Sequence, residues 1–259
     1  MPRLAANLTL LFTEHPFLDR FGAAARAGFR AAEIQLPYAF EPERIADRMA
    51  AHDIELVLHN LPVGDWEAGE RGIACHPARV GEFRDGVGIA IDYATRLGVK
   101  RLNCLAGIAP PGVARDEAHA TFVGNLKFAA GKLKAEGIEL LIEAVNTRDV
   151  PGFFLSRTRQ ALDVIRDTGS DNVFVQYDAY HMQRMEGELA ATIRANIAMI
   201  RHVQIADNPG RNEPGTGEIN FRFLFGLLDA IGYDGWVGCE YRPLGGTEEG
   251  LGWRAAHGV

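Results

Sequence analysis

The chain has 259 residues, of which 47% are apolar, so it can bury a large core, and its length is normal for one (β/α)8 barrel. Its net charge of −7 argues against a nucleic-acid-binding surface, although a small anionic substrate needs only one or two local cations. Cys75, Cys104 and Cys239 are widely spaced with no CxxC pair, which reads as reduced cytoplasmic thiols, and no apolar run approaches the roughly 18 residues of a membrane span.

The opening MPRLAANLTLLF is too short and too polar for a signal peptide, and Leu4–Thr9 within it reads as a first strand. Apolar residues at 17, 18, 21, 24 and 25 then follow a helical period that stops at Gly28. Ala31–Gln35 is a second strand, Pro42–His52 a helix and Ile54–His59 a third strand. A Gly-rich loop, NLPVGDWEAGERGIACHPARV, carries Trp66, Arg71 and His76; loops this long usually have a task. A helix then runs to Leu97. Arg101–Leu105 is the fourth strand, with a helix over Ala114–Glu136. Ile138–Glu143 is the fifth, with a helix over Ser156–Thr168 capped by Ser156 or Thr158. Val173–Asp178 is the sixth, followed by a helix from Gly187 to Met199. His202–Ala206 is the seventh, with a helix from Phe221 to Ile231. Trp236–Tyr241 is the eighth, and a short helix from Thr247 closes the chain. Eight such units with no composition break predict a single-domain α/β fold, a (β/α)8 TIM barrel spanning residues 1–259. An open doubly wound sheet would carry a Gly-rich phosphate turn after its first strand, and LTLLFTEHPF has none.

Several strands end in an acid or amide. IELLIEA ends near Glu143, NVFVQYD at Asp178, HVQIAD carries Gln204 and WVGCEY carries Glu240, at successive spacings of 35, 26 and 36 residues. A barrel gathers the carboxyl ends of its strands at one mouth, where active sites sit. Carboxylates there cost free energy unless a cation or hydrogen bonds compensate them. Three carboxylates and an amide suit a hard divalent ion, Mg²⁺ or Mn²⁺, better than Zn²⁺. The plainer alternative is that each acid caps a helix or pairs with an Arg.

Other candidates surround this set. His181, in YDAYHMQRMEG, can hydrogen-bond a substrate oxygen, or be an ordinary solvated loop histidine. Arg211, in ADNPGRNEPGTGE, can hold a substrate carboxylate bidentately, or pair with Glu213 or Glu218. Asp149 can position a substrate hydroxyl or His181, or be a turn residue before Pro151. His59, Asn60 and Arg71 are weaker substrate-binding candidates, and Glu33 can also face the mouth. Lys100 and Arg101 sit at a strand start, on the stability face. No GxSxG, HExxH, Walker or GxGxxG motif is present.

The segments ANLTLLF, LHNLPVGDWEAGERGIA, EFRDGV, QYDAYHMQRMEGEL, HVQIADNPGRNEPGTGEIN and WVGCEY resemble the hydroxypyruvate isomerase family over nearly the whole chain. That family belongs to the xylose-isomerase-like barrels. The resemblance implies a divalent metal held by Glu143, Asp178, Gln204 and Glu240, with Glu143 and Glu240 also proton donor and acceptor. It implies interconversion of hydroxypyruvate and tartronate semialdehyde, a small hydroxy/oxo acid substrate. Ketose 3-epimerases, which are similar, use His where Gln204 stands, so their sugar specificity does not carry over. The 2-oxo-tetronate isomerases share the four ligands but are less similar after the third strand and in YHMQRMEG. A metal-dependent nuclease would need a His-rich site and a basic face, and a non-catalytic sugar-acid binder would tolerate loss of both glutamates. Neither nucleic acid nor membrane is an expected partner, and the aromatic loops are compatible with a homo-oligomer.

Overall fold

The computed structural model describes residues 2–259. Eight parallel strands close into a barrel in chain order, with β1 (Arg3–Asn7) paired to both β2 (Ala31–Ile34) and β8 (Trp236–Cys239). Between them lie β3 (Glu55–Asn60), β4 (Arg101–Cys104), β5 (Glu139–Glu143), β6 (Val173–Asp178) and β7 (Ile200–Ile205). The helices are α1 (Arg20–Arg26), α2 (Pro42–His52), α3 (Val80–Leu97), α4 (Arg115–Ala135), α5 (Thr158–Thr168), α6 (Ala179–Met185), α7 (Leu189–Asn196), α8 (Phe221–Ala230), α9 (Thr247–Gly250) and α10 (Trp253–His257). This is the (β/α)8 TIM barrel that the alternating pattern predicts. No helix among the described residues is long and apolar enough to cross a membrane. The three cysteines are free and buried.

The main core lies between strands and helices. In α4, Phe122, Leu126, Ala129, Ala130 and Leu133 recur at helical spacing and are buried against it. Each Leu or Phe buried this way contributes roughly 1.5–3 kcal/mol. Inside the barrel a thin apolar layer of Ala5, Ala31, Val57, Leu141 and Trp236 sits below the mouth. Beneath it Glu139 accepts hydrogen bonds from Arg101 at 3.0 Å and Arg201 at 3.1 Å, placing Arg101 at the amino-terminal end as expected.

Two irregularities set which side chains face the interior. Ala32 pairs with Leu56 but Glu33 pairs with Leu58, so β3 carries Val57 as an extra residue. Such a bulge shifts the two-residue alternation, turning Leu58 and Asn60 inward and His59 outward. Likewise Val175 pairs with Ile200 and Gln176 with His202, so Arg201 is the extra residue and His202 and Gln204 point into the barrel.

Local differences from the sequence-based elements have identifiable causes. Helix α6 occupies a stretch read as loop, because the Asp178 carboxylate accepts from the Tyr180 and His181 amides and nucleates a turn directly at the strand end. Neither Ser156 nor Thr158 caps α5: the Thr158 amide donates at 2.7 Å to Glu186, a carboxylate supplied from beyond α6. The helix expected from Gly187 starts at Leu189 and ends in a 3-10 turn over 197–199. β8 stops at Cys239, so Glu240 stands on the first residue past the strand.

Candidate active site

At the carboxyl-terminal mouth, Glu143, Asp178, His181 and Glu240 each bring a potential ligand atom within 4.8 Å of the others, and all four are buried. The acids expected to converge therefore do so. The barrel wall holds one oxygen of each carboxylate. Glu143 Oε2 accepts from Asn103 and Gln176, each at 3.0 Å. Glu240 Oε1 accepts from Gln35 at 2.7 Å and Asn7 at 3.4 Å. Asp178 Oδ1 accepts the two α6 amides at 2.7 and 3.2 Å. Glu143 Oε1 and Asp178 Oδ2 are thus left for the centre, and buried Asp178 Oδ2 has no hydrogen-bond partner, whereas the second oxygen of Glu240, Oε2, accepts from Arg211.

Gln204 is oriented from both ends. Its Nε2 donates to Glu33 Oε1 at 2.8 Å, and its Oε1 accepts from Gln176 at 2.6 Å. Glu33 itself is fully buried, with Oε2 2.5 Å from His202 Nε2 and Oε1 accepting from Asn7 at 2.8 Å. It faces the barrel interior below the mouth rather than the mouth itself. A side chain at Gly238 would occupy the space of the Glu33 carboxylate, so glycine is needed there.

Electrostatics follow from this crowding. Burial, then the charges of Glu240 and Asp178, hold the Glu143 carboxyl well above its usual range. Burial likewise raises Asp178 and Glu240, only partly offset by Arg211. Arg211 donates to Glu240 Oε2 at 2.6 Å and lies 4.0 Å from Asp178 Oδ2. Burial opposes its charge, but the carboxylates of Glu240, Asp178 and Glu143 outweigh burial and keep it protonated. Its ion pair is with these site acids, not with Glu213 or Glu218. The donor set fits a hard cation: three buried acids that repel one another, an orphaned carboxylate oxygen and an amide oxygen.

His181 is buried rather than a solvated loop residue. Asn146 Oδ1 accepts from the Arg148 and Asp149 amides, which leaves its Nδ2 to donate to His181 Nδ1 at 2.7 Å. The network therefore assigns the imidazole proton to Nε2, 3.5 Å from Asp178 Oδ2 and 3.7 Å from Glu143 Oε1. Burial, reinforced by the Arg211 charge, lowers His181 to about 3, so it is a neutral N–H donor at ordinary pH. Asp149 reaches His181 only through Asn146, and it accepts from the Tyr180 hydroxyl at 2.7 Å. Burial alone would raise Asp149, but bonds from Asn146 and Tyr180 and the charge of Arg184 hold it below its ordinary value.

His59 is the one substrate-binding candidate that the structure keeps out of the cavity. The β3 bulge turns it toward the helices, where it meets Tyr38 edge-on and its Nδ1 lies 3.0 Å from the Asn60 carbonyl. The cavity, about 480 Å³, is lined by Glu143, Asp149, His181, Gln204, Arg211 and Glu240, with Trp66 and Arg71 from the long loop. Asn7, Gln35, Asn103, Asn146 and Gln176 were missed in the sequence. The available signal was the two-residue period: Gln176 precedes Asp178 by two and must share its face.

A family model for xylose isomerase-like TIM barrels matches residues 21–257. Hydroxypyruvate isomerase of Escherichia coli K12 is 54% identical over 253 residues, covering 98% of each chain. The chain belongs to the hydroxypyruvate isomerase family of xylose isomerase-like barrels. Within that wider fold family, the 2-oxo-tetronate isomerase of Cupriavidus necator is 46% identical, covering 98% of this chain and 97% of its own. A crystal structure from Brucella melitensis, described as an AP endonuclease of family 2, superimposes with a TM-score of 0.96 at 46% identity and covers 99% of both chains.

Proposed function

We propose that the protein interconverts hydroxypyruvate and tartronate semialdehyde by proton transfer through an enediolate, with Mg²⁺ or Mn²⁺ held by Glu143, Asp178, Gln204 and Glu240. The observation that carries this reading is the pair Glu143 and Glu240: two buried carboxylates across one small centre, each anchored by amides through one oxygen. One glutamate removes a proton from C3 of hydroxypyruvate, and the C3–H electrons become the C2–C3 double bond of the enediolate. The other glutamate delivers a proton to C2, while the C3 hydroxyl proton relocates to the C2 oxygen and leaves an aldehyde at C3. His181 Nε2–H donates toward the substrate oxygens, and Arg211 holds Glu240 in place. A divalent ion supplies Lewis-acid stabilisation of the charge developing on the two adjacent oxygens.

The identity of relatives at 54% and 46% supports an oxo-acid isomerase, and 2-oxo-tetronate is the second reading. It is favoured by the cavity, whose roughly 480 Å³ exceeds what a three-carbon acid fills. Offering both acids with and without Mg²⁺ or Mn²⁺ is expected to give metal-dependent turnover with the larger kcat/KM for hydroxypyruvate. Turnover of neither acid would end the isomerase reading. A nuclease is disfavoured by the net charge of −7 and by a cluster holding one histidine; DNA retention at moderate salt would revive it.

Glu33 tests the metal part independently. Its carboxylate fixes which way the Gln204 amide points. Glu33→Gln is expected to weaken divalent-metal affinity on the order of 10–100-fold, the usual effect of losing a group that orients a ligand. Calorimetric titration of metal into chelator-treated protein reads this directly, and an unchanged affinity would remove Glu33 from that role.

A further inference from the structure

The proposed substrate carries a carboxylate, yet the centre of the cavity is acidic, so the acid group needs a cation of its own. Four arginines line the cavity: Arg71, Arg184, Arg211 and Arg242. Arg211 is committed to Glu240 and Asp178. Arg184 lies 3.4 Å from Asp149 Oδ1 and donates to the Tyr180 hydroxyl at 2.6 Å. Arg242 is exposed at the rim. Arg71 pairs with no carboxylate among the described residues, and its neighbour Glu70 is taken by Arg79.

We propose that Arg71, on the loop between β3 and α3, receives the substrate carboxylate. This inference rests on the oxo-acid reading above. The guanidinium is held ready. It stacks 3.6 Å from the centroid of the Trp66 ring, and Nη1 donates to the carbonyls of Trp66 at 3.0 Å and Glu70 at 2.7 Å. Those bonds occupy one end of the fork and leave the Nε–Nη2 edge without a protein partner among the described residues. That edge presents two parallel N–H groups matched to two carboxylate oxygens. A lysine ammonium could not reproduce it.

The loop is built onto the barrel. Gly72, at φ 111°, and Gly107, at φ 88°, pack backbone to backbone, and a side chain on Gly72 would clash with the Leu105 carbonyl and one on Gly107 with the Gly72 carbonyl. The Gly72 amide donates to Val63 at 3.0 Å and the Cys75 amide to Ala106 at 2.9 Å. Arg71 therefore stands on a segment fixed to the end of β4, so little ordering entropy is lost when an anion binds.

The test is steady-state kinetics of the full chain with Mg²⁺ for wild type, Arg71→Gln and Arg71→Lys. Arg71→Gln is expected to raise KM for hydroxypyruvate on the order of 10–100-fold, the range for a lost hydrogen bond to a charged group, with kcat changed less than about threefold. Arg71→Lys recovers only part of the loss. Inhibition by glycerate, a non-reacting acid, weakens by a similar factor in Arg71→Gln, whereas binding of dihydroxyacetone, which lacks the carboxylate, is unchanged. Equal losses for glycerate and dihydroxyacetone would mean a disturbed loop and overturn the proposal. An unchanged KM in an otherwise active enzyme would overturn it while leaving the isomerase reading intact. A wild type that turns over no oxo acid overturns that reading, and this inference with it.

Discussion

Glu143→Gln is expected to lower turnover of the oxo acid by about 10²–10⁴-fold while the barrel stays folded. The substitution is isosteric, and the new amide oxygen can still accept from Asn103 and Gln176, which donate to Glu143 Oε2 at 3.0 Å. What disappears is the capacity to take and return a proton. Stability should not fall, because the carboxyl removed is one that burial and two neighbouring acids already disfavour as an anion. Glu240→Gln is expected to be as damaging to turnover but less clean. It leaves the half-buried Arg211 guanidinium without the carboxylate 2.6 Å away, so some loss of stability accompanies it. Thermal melts separate the two effects. Turnover above about a tenth of wild type in either variant would exclude that glutamate from obligatory proton transfer, whose loss costs at least about a hundredfold.

The second large effect is metal removal. Chelation is expected to abolish turnover and lower Tm, with re-addition of Mg²⁺ or Mn²⁺ at about 100 times Kd restoring roughly 5–10 °C. The size of that shift should depend on pH in a definite direction. Glu143, Asp178 and Glu240 are all raised in the folded, metal-free protein. Their contribution to stability is therefore fully present below the ordinary carboxylate range and is lost as pH rises through the raised values. Metal ligands must be deprotonated, so a bound cation reverses that loss. The gap in Tm between loaded and chelated protein should widen from mildly acidic to neutral pH. Buried His59 and His181, lowered to about 4 and about 3, stabilise above the ordinary imidazole range and lose that contribution as pH falls. This opposite slope acts on both states and cancels in the difference. A gap that is flat with pH, or a Tm indifferent to chelation, would sink the carboxylate site as a metal centre.

Much of the architecture was legible because its signals are local. Apolar runs bounded by turn residues marked the strands, and α2 and β6 fall where the pattern places them. The acids at strand ends were legible too, since a barrel gathers strand ends whatever their loops do. Capping was not. The residue that satisfies the α5 amide at Thr158 is Glu186, which local spacing cannot connect to it. His59 shows the same limit more sharply: one extra residue in β3, visible only as pairing with β2, turns it from the mouth to the helix layer. Arg211 was placed at the site, but its commitment to Glu240 emerges only when the loops after β7 and β8 lie side by side.

The order of elements, the residue types at the strand ends and the membership of an isomerase family are carried by the amino-acid string, because periodicity and motif survive without knowing any partner. Which oxygen of Glu143 faces the centre, which nitrogen of His181 holds the proton, which way the Gln204 amide points and which arginine is left unpaired are decided by contacts between distant strands and loops. Burial makes those choices binding: away from water, each polar atom must take the partner that the fold brings to it.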